Sequence, residues 1–320
     1  MKKSVLVTGG GGFVGANLVR LLLRENNAVT VLDDFSAGSH QFLSGLNVDV
    51  VEGSILDCEL VNTVVRRSNG VVHLAAQTGV PGSLLQPRRD CEINVIGTLN
   101  VLEACRRAEY AKDRRRIVFA SSNAPLGRQT PPATEDKAAL PVSPYGASKL
   151  AGEAYCLSYQ TSFGLATTVL RFGNVYGPFS VHKTSVVAKF LEDLCSRGRI
   201  TVDGDGSQTR DFIYVEDVCR AIHSALCSQA DGEIFQIATG VETSISRLAN
   251  LIEITVGHKI KADYKPARHG DVLRNFSVIE KAHRVLSWQP RTGLDAGLRE
   301  TWQWYQDNRS RYQHLGAMSA

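Results

Sequence analysis

The stretch from Val5 to Asp34 limits what this chain can fold into more than any other. An apolar run, Ser4-Val5-Leu6-Val7, has the length and β-branching of a buried strand and leads into Thr8-Gly9-Gly10-Gly11-Gly12-Phe13-Val14-Gly15. Phe13 to Arg24 is rich in Leu and Val with no proline, the pattern of a helix packed on a sheet. A second run, Ala28-Val29-Thr30-Val31-Leu32, ends in Asp33-Asp34. Strand, glycine turn, helix, strand and terminal acid describe a dinucleotide-binding βαβ unit. Gly9 allows the tight turn, Gly12 lets backbone N–H groups approach a pyrophosphate, and Gly15 lets the helix sit close on the strand. The helix N-terminus, through Phe13 and Val14, then presents partial positive charge to the phosphates.

The spacing is Gly9-x-x-Gly12-x-x-Gly15, and the acid follows Gly15 by 18 residues. Asp33 is placed to accept hydrogen bonds from adenosine ribose hydroxyls, and its charge repels a 2′-phosphate, so the expected cofactor is NAD. Downstream, Val48–Gly53, Val71–Ala76 and Ile117–Ala120 read as strands, Asp90–Arg107 and Tyr145 to about Phe163 as helices, and Leu165–Leu170 as a sixth strand. Strand–helix alternation of this kind predicts a doubly wound parallel sheet of Rossmann type, with ligands at the carboxyl ends of the strands. Beyond Asn174 the rhythm becomes irregular, with helices near 183–197, 216–228, 244–257 and 294–306 among short strands. Residues 1–174 are expected to form the NAD-binding domain. Residues 175–320 are expected to form a smaller mixed α/β substrate lobe, some of whose segments return to the first.

Tyr145 and Lys149 are four residues apart on a predicted helix and share a face. They are the sole Tyr-x-x-x-Lys in the chain, and they follow a strand that ends in Ser121-Ser122. A tyrosine acting as a base near neutrality must fall from about 10 to about 7, which costs about 4 kcal/mol. One ammonium about 4 Å away supplies about that much at an effective dielectric near 20. Ser122 can hydrogen-bond the reacting hydroxyl or the developing oxyanion.

These residues carry a resemblance. The chain is similar to the extended short-chain dehydrogenase/reductase family, and within it to the nucleotide-sugar epimerases and dehydratases, most of all those acting as UDP-glucose 4-epimerases. The marks are Thr8–Gly15, Asp33, His73–Ala76, Asn94–Asn100, Ser121-Ser122, Tyr145-x-x-x-Lys149, Arg171–Pro178, Gln208–Phe212 and Arg268-x-Gly270-Asp271. The resemblance implies NAD-dependent epimerisation of a UDP-hexose at C4 through a transient 4-keto sugar, with glucose/galactose or the N-acetylated pair as substrates. Ser122, Tyr145 and Lys149 are the implied catalytic residues. Cofactor binding is implied for Gly9, Gly12, Phe13, Val14, Gly15, Asp33, Asp34, Ser36, Gly38, Ser54, Ile55, Leu74, Ala75, Ala76, Tyr145 and Lys149. Substrate binding is implied for Gln77, Ser122, Asn123, Asn174, Arg210, Arg268, Asp271 and Asn275. Asn174, Arg210 and Arg268 would hold the diphosphate, whose geometry guanidinium groups match, and Asp271 the nucleoside ribose. The family's helix pairing implies a homodimer through Asp90–Arg107 and Tyr145–Phe163.

Several positions depart from the family pattern. Asn123-Ala124 stands where the 4,6-dehydratases carry an Asp-Glu pair, which favours epimerisation. Leu126 replaces a tyrosine in the sugar-pocket wall, and Ser54 replaces an aspartate beside the adenine. Asn275 falls where the 4-epimerases gate the C2 substituent, so tolerance of N-acetylated sugars is expected. Arg88 and Arg89 keep a UDP-glucuronate 4-epimerase open as an alternative, alongside a CDP-sugar 2-epimerase and a non-catalytic NAD-sensing protein. A reductase using exchangeable NADPH is disfavoured by Asp33.

Composition narrows the remaining classes. A formal net charge of +4 without basic stretches among aromatics argues against a nucleic-acid partner, and Arg114-Arg115-Arg116 reads as a solvated turn. Seven cysteines at 58, 91, 105, 156, 195, 219 and 227, with no C-x-x-C, suggest reduced and mostly buried thiols in a cytoplasmic protein. No metal site is expected. No apolar run reaches 18 residues, so no membrane span is expected.

Overall fold

A computed structural model describes residues 3–109, 115–181, 183–267 and 272–316. Seven strands form the central sheet: β1 (Ser4–Thr8), β2 (Ala28–Asp33), β3 (Asp49–Glu52), β4 (Gly70–His73), β5 (Arg116–Ser122), β6 (Ala166–Phe172) and a later strand, Glu233–Ile237. All are parallel, in the spatial order β3-β2-β1-β4-β5-β6 followed by Glu233–Ile237. The order reverses between β1 and β4, so a crevice opens there at the carboxyl ends of the strands. Both faces are covered, which explains why the strands read as unbroken apolar runs. Val5 and Val7 enter one apolar core while Leu6, between them, enters the other.

The helices before β6 are α1 (Phe13–Arg24), α2 (Cys58–Arg66), α3 (Val80–Leu85), α4 (Pro87–Cys91), α5 (Gly97–Glu109) and α6 (Pro144–Phe163). The expected helix from Asp90 is interrupted: Glu92–Ile96 forms one wide π turn between α4 and α5. α6 begins where Ser143 caps it, its Oγ accepting from Gly146 N at 3.1 Å, with Pro144 in the first turn. It stops at Gly164 in the left-handed region.

After β6 come β7 (Asn174–Tyr176), α7 (Val186–Arg197), β8 (Arg199–Asp203), β9 (Thr209–Arg210), β10 (Phe212–Tyr214) and α8 (Val215–Cys227). Then follow β11 (Glu233–Ile237), β12 (Thr243–Ser244), α9 (Ile245–Val256), β13 (Lys261–Lys265), α10 (Glu280–Leu286) and α11 (Leu294–Gly316). β11 belongs to the central sheet beside β6, and α8 packs on α1, so these two segments of the second half complete the first. The remaining short strands pair two by two: β7 with β10, β9 with β12, and β8 with β13. The last helix runs well past the expected residue 306.

Two expectations from composition are corrected. The basic run is not a solvated turn: Arg115 is buried with Nε donating to Ser68 O at 2.8 Å, and Arg116 pairs with Asp231. Their charges hold strand ends together. Arg114 lies outside the described residues. Of the seven free thiols, Cys105, Cys156 and Cys219 are buried and Cys195 half-buried, while Cys58, Cys91 and Cys227 are exposed, so most are not buried. Among the described residues no helix is long and apolar enough to cross a membrane, and no group of three His, Cys, Asp or Glu is placed to hold a metal ion.

Candidate active site

The glycine run leaves β1 at the crevice. Gly9 sits at φ +73°, and a Cβ on it would lie 2.6 Å from Ala75 N. A Cβ on Gly15 would lie 2.2 Å from Gly9 O, so this glycine seats the helix on the turn itself. Gly12 caps α1 with extended backbone and no side chain on the first-turn N–H groups. The amides of Phe13, Val14 and Gly15 therefore face the crevice free of intrahelical partners. Asp33, at the end of β2, is buried and accepts from Gly11 N and Phe35 N, both at 2.8 Å. Burial pushes its carboxyl up while the two amides pull it down. Two such bonds leave lone pairs for a diol. Open helix amides on one side and a strand-end carboxylate on the other fit the pyrophosphate and ribose of NAD.

The other predicted cofactor residues surround that cradle. Gly38 packs against Gly11, and the neighbouring Ser39 N donates to Gly11 O at 2.9 Å. Asp34 accepts from Ser36 N and Ser36 Oγ, at 3.1 and 2.5 Å, shaping the loop past Asp33. Ser54 Oγ takes Leu56 N at 3.2 Å, and Ile55 is held by its buried side chain and by its carbonyl, which accepts from Asn100 Nδ2 at 3.0 Å. Leu74 and Ala75 are tied to Thr8, by Leu74 N to Thr8 O and Ala75 N to Thr8 Oγ1, and Ala76 follows half-buried.

His73, beneath this loop, has a determinable tautomer. Thr98 Oγ1 donates to Asn94 O at 2.6 Å, so it can only accept from His73 Nε2 at 3.0 Å. The Nδ1 atom is then the acceptor for Thr8 Oγ1 at 2.7 Å. Burial, with a smaller push from Lys149, depresses this imidazole to about 3, so it stays neutral and serves as a structural tie. Asn94, on the wide π turn, takes Gln77 N at 2.8 Å and gives to Gln77 O and Ser148 Oγ, both at 3.0 Å. One amide side chain thus pins the loop after β4 to α6.

Ser122, at the end of β5, accepts from Ala124 N at 3.1 Å and lies near Tyr145 in the first turn of α6. Burial pushes the Tyr145 phenol up to about 12, and the Ser122 hydroxyl pulls the other way. The lowering expected from Lys149 is not found. Lys149 is buried with Nζ donating to Ala120 O at 2.9 Å and lying 4.9 Å from the Phe119 ring centre. Shared helix spacing put the two on one face, but the nearby carbonyl captures the ammonium. Burial lowers Lys149 to about 8, opposed by Asp90. One turn further along α6, Glu153 ties the helix to β5 and β6. Its carboxylate receives Arg171 at 2.9 and 2.7 Å and Ser121 Oγ at 2.5 Å, entirely within the core.

The far wall is assembled from distant segments. Asn123 is buried, and its Nδ2 donates to Ser277 Oγ at 3.0 Å and to Asn275 Oδ1 at 3.4 Å. Buried Asp211 accepts from Thr239 N at 2.8 Å, Gly240 N at 2.9 Å and Ser277 N at 3.3 Å, so it holds residue 277 in place. Asn174 N donates to Asp211 O at 2.8 Å, which brings Asn174 beside Arg210. Arg210 Nη1 gives to Thr209 O at 2.8 Å and Val272 O at 2.6 Å. Asn123 is thus joined to Asn275, Asn174 lies beside the Arg210 segment, and Gln77 and Ser122 follow or end the adjacent strands β4 and β5. Arg268 and Asp271 lie outside the described residues.

Residues 5–238 match the family described as NAD dependent epimerase/dehydratase. The chain belongs to that family. A UDP-glucose 4-epimerase of Mycolicibacterium smegmatis is 36% identical across 94% of this chain and 98% of its own. The structure of the Thermus thermophilus UDP-glucose 4-epimerase in complex with NAD superposes with a TM-score of 0.87 at 34% identity, covering 95% of this chain and 99% of that one. A UDP-N-acetylglucosamine 4-epimerase of Methanobrevibacter ruminantium, bound to UDP-N-acetylmuramic acid, gives 0.90 at 30%, covering 96% and 100%.

As a member of this NAD-dependent epimerase/dehydratase family the protein is an enzyme with NAD as its cofactor, similar to isomerases. Several of its cleft residues escaped sequence reading. Glu153 extends the Tyr145–Lys149 stripe by four more residues and was findable from that spacing. Asp211 sits beside Arg210 in a quoted motif. Lys183, whose Nζ donates to Thr78 Oγ1 at 3.0 Å across the cleft, carried no signal at all. Arg88 and Arg89 do not join it: they are exposed on α4, with Arg89 3.8 Å from Glu92.

Proposed function

We propose that the protein epimerises a UDP-hexose at C4. The observation that carries this reading is the placement of Ser122 near Tyr145, where the start of α6 packs against the turn after β5, with no carboxylate at positions 123 and 124. Tyr145 Oη takes the proton of the C4 hydroxyl, and Ser122 Oγ hydrogen-bonds the oxygen as it becomes a carbonyl. When bound, NAD would supply the reversible hydride acceptor for C4, and its positive ring would favour the ionised phenol. Lys149 holds the nicotinamide ribose. Tyr145 gives the proton back to complete the inverted alcohol. Asn174 and Arg210, with Arg268, bind the diphosphate, and Asp271 the ribose of the nucleoside.

Dehydration across C5 and C6 needs a base for the C5 proton and an acid for the leaving C6 hydroxyl, and Asn123-Ala124 supplies neither. A homodimer is supported by apolar side chains left exposed along α3 to α6, including Leu84, Leu85, Ile96 and Tyr155. A cytoplasmic location is supported by seven cysteines that form no disulfide.

The test is incubation of the purified enzyme with UDP-glucose, UDP-N-acetylglucosamine and UDP-glucuronate, with the anomeric proton signals followed. Conversion of any one to a mixture with its galacto epimer is the expected result. If all three stay unchanged with NAD supplied, C4 epimerisation of these sugars is refuted.

A further inference from the structure

Lys183 lies between β7 and α7 and reaches the loop after β4. This side chain is half-buried, and its ammonium is bonded to Thr78 Oγ1 at 3.0 Å. Thr78 adjoins Gln77, whose backbone the Asn94 amide pins. Lys183 also lies near enough to Lys149 to push that group's affinity for its proton down, and burial does the same to Lys183 itself. Among the described residues no carboxylate pairs with Lys183. Its half-buried ammonium has a hydroxyl for a partner and acts electrostatically on the Lys149 ammonium. That is an unfavourable arrangement for the free enzyme, and an anionic group on a ligand relieves it.

The position narrows which anion. The cofactor's pyrophosphate has the open amides of α1, and the sugar nucleotide's diphosphate has Arg210 beside Asn174. Lys183 instead bonds the loop after β4 and acts electrostatically on Lys149, on the side where the reacting end of the sugar would meet Tyr145 and Ser122. Carbon 6 is joined to C5, the neighbour of C4, so a charge on C6 lies within a few bonds of the reacting carbon. Next to Ser122 stands the uncharged Asn123, its amide N–H groups given to Ser277 and Asn275, where a carboxylate side chain would repel one on the sugar.

We propose that Lys183 is a specificity-determining residue that pairs with a carboxylate at C6 of the sugar, making a nucleotide-linked hexuronate the preferred substrate. This rests on the C4-epimerase reading and names the substrate class for the same site. The experiment compares wild type, Lys183→Met and Lys183→Arg, each saturated with NAD, for binding of UDP-glucuronate and UDP-glucose by calorimetry and for kcat/KM by proton NMR.

Lys183→Met is expected to cut the ratio of uronate to glucose affinity about 30-fold or more, chiefly through KM, and Lys183→Arg to restore it to within a few-fold. Equal losses on both sugars would assign Lys183 to the diphosphate or to the fold and overturn the proposal. A wild-type enzyme that epimerises UDP-glucose yet binds UDP-glucuronate no better would also overturn it while leaving C4 epimerisation standing. Selective loss of uronate binding in an enzyme that turns over neither sugar would sustain the role of Lys183 and refute the chemistry.

Discussion

The two ends of the cleft are built in opposite ways. At the cofactor end the cradle for pyrophosphate and ribose comes from one continuous stretch. Gly9, Gly12, Gly15 and Asp33 lie within 25 residues, and the ligand would be met mostly by backbone amides. At the sugar end, Asn123, Asp211 and Ser277 come from three segments, the first and last 154 residues apart, joined by buried side-chain hydrogen bonds. A backbone cradle tolerates few substitutions because Cβ atoms collide with it. A side-chain wall can change its specificity by single replacements, at the risk of orphaning its anchors. The comparison suggests that the family's shared cofactor and its varied substrates have a structural origin in this division.

The largest effect should come where the two ends meet. Tyr145→Phe removes the proton acceptor and is expected to lower kcat by about 10²- to 10⁴-fold. The amount of NAD bound by the purified protein should be unchanged; loss of NAD would mean that the catalytic and cofactor ends are not separable. Asp211→Ala strips the acceptor from three amides, those of Thr239, Gly240 and Ser277. It should cost about 3 kcal/mol or more in urea denaturation. It should also raise KM for the nucleotide sugar far more than Kd for NAD, and equal rises would erase the distinction drawn above.

Acid probes the cofactor end. His73 sits at about 3 in the folded protein against an ordinary value of 6.5. Between these limits the unfolded chain binds a proton that the folded one refuses, so stability rises with pH through this window and falls as pH drops. The slope attributable to His73 is about 1.4 kcal/mol per pH unit at its steepest. His73→Gln should be less stable at pH 7 but show a flatter acid limb, and parallel limbs would remove His73 from the explanation. The smallest effect concerns selectivity at the sugar end. Asn275→Tyr is expected to depress turnover of UDP-N-acetylglucosamine about tenfold relative to UDP-glucose, about the scale of one crowded pocket contact. Equal losses on both sugars would place the C2 gate elsewhere.

The sequence by itself determined the parts whose physics is local. Glycine spacing between two apolar runs dictated the turn, the seated helix and the strand-end acid, because backbone conformation and steric clearance act over a few residues. The four-residue repeat put Tyr145, Lys149 and Glu153 on one helix face for the same reason. Tertiary structure alone decided where the charges on those side chains went. Lys149 turned to the Ala120 carbonyl instead of the phenol, Arg115 and Arg116 became buried ties, and Glu153 neutralised Arg171 within the core. It also brought Asn275 and Ser277 to Asn123, and Lys183 to Thr78 across 105 residues. A long side chain chooses its partner by desolvation and distance in three dimensions, and neither is written in the spacing of residues along the chain.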